Sequence, residues 1–208
     1  IYVGDASGLL VLKHQAEKLA AIEAIWETEK PAGLSLFAIP NETTRSNDFD
    51  IKIPHLGSLI LTHSWDGEIK GLNEFDFHPP VAPVFFSFRV MVGIGLLMLL
   101  VSWTGAFQLL RKKEVASWMH KVLFTMTFSG WVAVLAGWYV TEIGRQPWIV
   151  YNILRTEDAV APHGATVMIT SLSLYILLYL FLLVSYLSVV FYMTDKEINK
   201  NIAAVKGA

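Results

Sequence analysis

"VMVGIGLLMLLVSWTGAFQLL", residues 90–110, is a run of 21 residues without one charged side chain. At about 1.5 Å of helical rise per residue, roughly 20 residues cross the roughly 30 Å hydrocarbon layer of a bilayer. Val122–Thr141 is a second such run, of 20 residues, and between Val160 and Thr194 only His163 carries charge, and then only if protonated. The whole chain is 54% hydrophobic, with 16% charged residues and a mean hydropathy of +0.48, too apolar for an ordinary soluble domain. The reading is an all-α membrane protein with three transmembrane helices, at about 81–110, 118–142 and 163–194.

The polar residues collect ahead of these runs. Residues 1–80 hold twelve Asp/Glu and six Lys/Arg, a net charge of −6, which leaves +4 on residues 81–208. This divides the chain into a polar region, 1–80, and a three-helix membrane region, 81–208. The link between the first two runs carries Arg111, Lys112, Lys113 and Lys121, and the tail carries Lys196, Lys200 and Lys206. Positive residues mark the cytoplasmic side, so this link and the C-terminus are expected inside, with residues 1–80 and the 142–158 loop outside. Near-zero net charge without a basic block argues against nucleic acid as a partner. With no cysteine there is neither a disulfide framework nor a thiolate metal site. Ile1 stands where an initiator methionine would, so the chain is expected to be a fragment or a processed product.

Within the polar region, "LLVLKHQAEKLAAIEAIWETEKP", residues 9–31, predicts one amphipathic helix ended by Pro31. Leu12, Ala16, Leu19, Ile22 and Trp26 form its apolar stripe. Gln15 and Glu23 fall inside that stripe and Lys18 at its edge, while Lys13, His14 and Glu17 fall on the solvated side. A carboxylate facing a packed surface is costly unless something pairs with it. Either Glu23 snorkels or pairs with Lys18 at the helix edge, or these residues line a polar pocket for a small hydrogen-bonding ligand. Residues 31–80 read as an irregular segment with two short strands or hairpins, around "SLFAIP" and "GSLILTHS".

In the first membrane run, Met91, Gly95, Met98, Ser102 and Gly105 share a face that admits a neighbouring helix or a flat, bulky group. Arg89 points away from Met91 and is placed to snorkel at the end of the span. In the second, Phe124, Phe128, Trp131, Leu135, Trp138 and Glu142 lie along one face. "VTEIGRQPWIVYN", residues 140–152, then sets Glu142 and Arg145 three positions apart at the end of the span. They are either an interfacial ion pair or part of a functional site at the membrane edge.

The combination resembles the large haem-bearing subunit (subunit I) of cytochrome bd-type quinol oxidases, in its C-terminal half. "GRQPW" with a glutamate three positions before its arginine is the most specific motif. "FRVMVG", "QAEKLAAIEAIWET" and "LRTEDAV" follow the same family pattern in family order. The similarity is clear over residues 4–29 and 81–158 and weaker through 34–80 and the last span. It implies that residues 1–80 form an external quinol loop, here of the short form. Gln15, Lys18 and Glu23 match its quinol-site residues.

Met91 matches the axial methionine of the low-spin haem b, with Arg89 near that haem. Glu142 matches the glutamate that binds a high-spin haem iron, with Trp138 and Arg145 beside the high-spin pair, haem b and haem d. A thioether opposite histidine suits a low-spin, electron-transferring iron, whereas a carboxylate is a weaker-field ligand. The family's histidine ligands lie in the N-terminal half of the subunit. None of His14, His55, His63, His78, His120 or His163 matches them, and His120 and His163 read as interfacial.

The expected partners are that N-terminal half, a second large membrane subunit, a small single-span subunit, quinol, oxygen and the lipid bilayer of a bacterial inner membrane. The expected activity is oxidation of quinol outside and reduction of oxygen to water at the high-spin haems. A reading from another class is a transporter or structural subunit in which Glu142 and Arg145 merely anchor a helix.

Overall fold

The computed structural model describes residues 2–112, 114–160 and 164–206. Lys113 of the basic link, and Pro162 and His163 at the expected start of the third span, lie outside the described residues, as do the side chains of Lys112, Lys200 and Lys206. The chain divides into two units, Ile1–Ala159 and Val160–Ala208. The second is built on one helix, α7 (Ala165–Lys206).

The first unit begins with α1 (Tyr2–His14) and α2 (Ala16–Glu23). An antiparallel hairpin, β1 (Leu34–Asn41) and β2 (Ser46–Ile53), and a short helix, α3 (Leu56–Thr62), follow. Then come the long helix α4 (Val81–Lys112) and the pair α5 (Ser117–Thr125) and α6 (Ser129–Ile143), joined through a 3-10 turn at Met126–Phe128. A small hairpin, β3 (Trp148–Val150) and β4 (Leu154–Arg155), closes the unit. Val81–Arg111, Ser117–Ile143 and Ala165–Lys196 are each long and apolar enough to cross a membrane. The class is mainly helical, with the two hairpins as its only sheets among the described residues.

The expected continuous helix over residues 9–31 is two helices and a turn. Gln15, at φ −144° and ψ 59°, leaves helical geometry and separates α1 from α2. At the far end Ala24 is left-handed, at φ 52° and ψ 44°. Its N–H reaches the Ala21 carbonyl at 3.3 Å and that of Ile25 reaches the Ala20 carbonyl at 2.9 Å, the paired bonds of a Schellman cap. Alanine in this region lacks glycine's freedom, and the strain is offset by what the turn buries: Ile25 and Ala24 are fully enclosed. Asn47 of β2 donates to the Ala24 carbonyl at 2.8 Å and accepts from the Trp26 indole at 2.8 Å. The helix therefore stops where the hairpin can take over its carbonyls, well before Pro31.

The expected strand at "SLFAIP" forms as β1, but it pairs with Ser46–Ile53 rather than with a strand at "GSLILTHS", with Leu34 opposite Ile53 and Phe37 opposite Ile51. The "GSLILT" segment is helical rather than extended. Buried Ser58 explains its seat, accepting from Ala32 N–H at 2.7 Å and donating to the Gly67 carbonyl at 2.6 Å. The core lies where α2 meets the Val81 end of α4 and the Ile143 end of α6. It is filled by Ala20, Ala21, Ile22, Trp26, Leu72, Val84, Phe85 and Val140. Burying each large apolar side chain there contributes roughly 1.5–3 kcal/mol.

Candidate functional site

Every residue of α2 from Glu17 to Glu23 is buried, which an amphipathic surface helix would not allow. Three charged side chains go in with the apolar ones, and each meets a different element.

Glu23 is 2% exposed and pairs with Arg89 of α4, Oε2 to Nη2, at 3.1 Å. Arg89 also donates to the carbonyls of Ile22 at 2.7 Å, Phe85 at 3.2 Å and Ser35 at 3.2 Å. Its guanidinium stacks over the Phe85 ring, 3.3 Å from the centroid. The sequence readings of Arg89 as a snorkelling end residue and of Glu23 as a partner of Lys18 are therefore corrected. A guanidinium fork can hold a carboxylate and several carbonyls together, whereas the lysine ammonium is drawn elsewhere. Burial raises the Glu23 carboxyl pKa above its ordinary value, and Arg89 only partly opposes this.

Because the folded pKa is the higher one, the Glu23 contribution to stability is full below the ordinary value of 4.5 and is lost as pH rises through the raised value. The melting temperature of the solubilised complex, measured against Glu23→Gln from about pH 4 to about pH 9, should show that decline. Parallel curves for the two proteins would refute it.

Lys18 turns to α6, with its Nζ 3.5 Å from the Thr141 carbonyl. Its stem passes Gly144 so closely that a Cβ there would lie 3.0 Å from the lysine Cε. Burial lowers its pKa, Arg145 lowers it further, and Glu142 acts in the opposite sense. Glu17, expected on the solvated side, is 5% exposed and accepts a hydrogen bond from the Tyr151 hydroxyl at 2.9 Å. Burial, and then that carboxylate, push the Tyr151 pKa up to about 12.

Lys18, Glu23 and Met91 line one cavity of about 530 Å³, together with Leu19, Ile22, Phe88, Gly137 and Val140. Gln15 does not line it and sits instead at the break between α1 and α2. Met91 lies over Gly137 of α6, where a Cβ would be 2.9 Å from its sulfur. The small-residue position that lets this thioether approach is thus on the facing helix, whereas a Cβ at Gly95 or Gly105 would meet nothing within 4 Å.

The remaining candidates, Trp138, Glu142 and Arg145, stand apart from the cavity on α6 and just beyond it. Glu142 and Arg145 are both 43% exposed and meet at 3.7 Å. That is longer than the 2.7–2.9 Å of a strong charge-assisted contact, and such an exposed pair is worth at most about 1 kcal/mol. Trp138 and Trp131 are exposed on the same helix, so an open aromatic face leads up to the carboxylate. Beyond Arg145 the chain doubles back. Thr156 donates from its hydroxyl to Gln146 Oε1 at 2.7 Å and from its N–H to the Pro147 carbonyl at 2.8 Å. The Trp148 ring meets Phe77 edge-on at 6.0 Å. The "GRQPW" and "LRTED" stretches are therefore two sides of one small hairpin that returns Tyr151 to α2.

Three apolar spans, two of them joined to a polar cap whose Lys18 and Glu23 line a cavity, define the class: a multi-span membrane protein with a cavity where cap and helices meet. Residues 1–198 match the family described as cytochrome bd terminal oxidase subunit I, and the chain belongs to that family. It is 32% identical to the cytochrome bd ubiquinol oxidase subunit 1 of Bacillus subtilis (strain 168), over 74% of this chain and 36% of that protein. It is 30% identical to the cytochrome bd-II ubiquinol oxidase subunit 1 of Escherichia coli (strain K12), over 76% of this chain and 44% of the relative. Among solved structures it resembles the bd oxidase from Geobacillus thermodenitrificans, with a TM-score of 0.80 and 33% identity over 94% of this chain and 45% of that one. The chain thus spans less than half the length of these relatives.

Arg89–Glu23 and Glu17–Tyr151 are the contacts that sequence reasoning missed. A carboxylate within an apolar stripe was the available signal for the first. For the second there was none, because Glu17 reads as solvated on its own helix.

Proposed function

We propose that this chain is the quinol-binding and part of the haem-binding portion of a cytochrome bd-type quinol oxidase. The complex oxidises quinol on the external side of a bacterial cytoplasmic membrane and reduces oxygen to water. The cavity shared by Lys18, Glu23 and Met91 carries the reading. It sets two side chains suited to a quinol head group beside a thioether suited to a haem iron. Lys18 and Glu23 bind and orient the head group, and Glu23 or a neighbour takes up a proton as electrons leave. Gln15 would reach a quinol at the entrance, beside the α1–α2 break.

Met91 would hold a low-spin haem b from one side, a soft sulfur donor that raises its potential. Glu142 would hold a high-spin haem iron, with Trp138 against the ring and Arg145 toward the propionates. The high-spin pair, haem b and haem d, supplies the oxygen-reducing chemistry when bound. The open aromatic face of α6 and the loose Glu142–Arg145 pair fit such a group, since the carboxylate is not committed to its arginine. The opposing ligands, a second large subunit and a small single-span subunit complete the complex. Residues 1–80 then lie outside and the C-terminus in the cytoplasm.

Glu142→Ala in the full-length subunit tests this reading. Optical spectra of the reduced complex, with and without carbon monoxide, should show altered high-spin bands and an intact low-spin band. Oxygen consumption should fall at least about tenfold, as when a metal's surroundings are disturbed. An anchoring pair instead predicts equal, mild losses of stability in Glu142→Ala and Arg145→Ala with no spectral change. Normal high-spin bands in Glu142→Ala would leave the anchor as the better account.

A further inference from the structure

The start of α2 has no side-chain cap, and Gln15 before it is outside helical geometry. At its start the Gln15 carbonyl accepts from Lys18 N–H at 3.1 Å and Leu19 N–H at 3.2 Å. Its place must therefore come from tertiary contacts. Among the described residues its first turn makes two polar ones, on adjacent residues: Lys18 to the Thr141 carbonyl at 3.5 Å, and Glu17 to the Tyr151 hydroxyl at 2.9 Å. The first is long for a hydrogen bond and belongs to a side chain that the proposed site must leave free to meet its ligand. The second, at 2.9 Å, lies within ordinary hydrogen-bond range, ends on a carboxylate and is partly shielded.

Tyr151 is itself rigidly presented. It lies in the turn between β3 and β4, and its ring meets Trp148 at 6.2 Å, which in turn rests on Phe77.

We propose that Tyr151 is a positioning residue for the quinol site, a latch whose hydroxyl holds Glu17 and so fixes the neighbouring Lys18 at the cavity. This rests on the site reading given above. Arg89 still holds the Glu23 end of α2, but without the latch the first turn beside the Gln15 break loosens, and Lys18 spends less time in the geometry that receives the head group. Turnover of an already bound quinol is little affected, because neither Tyr151 nor Glu17 lines the cavity. The signature is a change in KM rather than in kcat.

The experiment uses the full-length subunit assembled in its complex, with a short-chain quinol as the probe and oxygen uptake as the readout. Tyr151→Phe removes one oxygen atom and should raise KM about tenfold, with kcat within about twofold and all haem bands retained. Glu17→Gln keeps an acceptor for the hydroxyl and should stay within about threefold of the parent KM. Lys18→Ala, assayed alongside, separates the two ideas. If Lys18→Ala impairs quinol oxidation but Tyr151→Phe leaves KM unchanged, or only lowers the melting temperature, the latch is refuted and the site reading stands. If Tyr151→Phe loses its haem bands, the residue is structural and the latch is likewise refuted. If Lys18→Ala oxidises quinol normally, the site reading fails and this role for Tyr151 fails with it.

Discussion

Arg89→Ala should uncouple the polar cap from the membrane helices. The guanidinium joins three elements that are distant in sequence: α2 through Glu23 and Ile22, β1 through Ser35, and its own helix through Phe85. Truncation strands a carboxylate that is 2% exposed and removes the donors from three carbonyls at once. Breaking a buried pair by deleting one partner costs about 3–5 kcal/mol, because the other charge is left without compensation. For a unit of this size, that corresponds to a fall in melting temperature on the order of 10 °C.

Quinol oxidation should fall along with it, since the same displacement moves Glu23 and Lys18. Arg89→Lys should recover only part, because an ammonium cannot span the carboxylate and the carbonyls together. The decisive measurement is the double variant Arg89→Ala with Glu23→Ala, which leaves no stranded charge. It should be more stable than the sum of the single losses allows. Strict additivity would show that the two side chains do not depend on one another.

Met91→Leu should act on the cofactor and leave the fold almost untouched. Leucine has nearly the same volume, so the packing loss at Gly137 stays below about 1.5 kcal/mol. The thioether is what disappears. The low-spin haem b should become high-spin or be lost, visible as loss of its sharp reduced band. Quinol oxidation should drop more than roughly 100-fold, at the upper end of what disturbing a metal's surroundings produces. A low-spin spectrum unchanged from the parent would remove Met91 from the ligand set, whatever the activity.

Compared with one another, the two variants also separate structure from chemistry. Arg89→Ala lowers stability and activity together, whereas Met91→Leu lowers activity at nearly constant stability. Only the pattern in which both track stability would place Arg89 and Met91 in one merely structural cluster.

The sequence by itself determined the class and the spans. An uncharged run such as Val90–Leu110 can satisfy its backbone in lipid only as a helix, whatever surrounds it, so the assignment needed no knowledge of neighbours. The same holds for Trp138 and Glu142, whose spacing on one helix was readable from periodicity alone, with Arg145 just past its end.

What only the tertiary structure decided is where the buried charges of α2 go. Glu23 and Arg89 are separated by 66 positions and Glu17 and Tyr151 by 134, and no local pattern links them. A helical wheel ranks residues by their own helix. Covering α2 on every side, with α4 and α6 at their ends and the β3–β4 hairpin above Glu17, turned a solvated side into an interior one. The end of α2 was hidden for a related reason. Ala24 has no intrinsic preference for a left-handed turn. It adopts one because Asn47, in a strand 23 residues away, takes the freed carbonyl, and Ile25 is buried by the change.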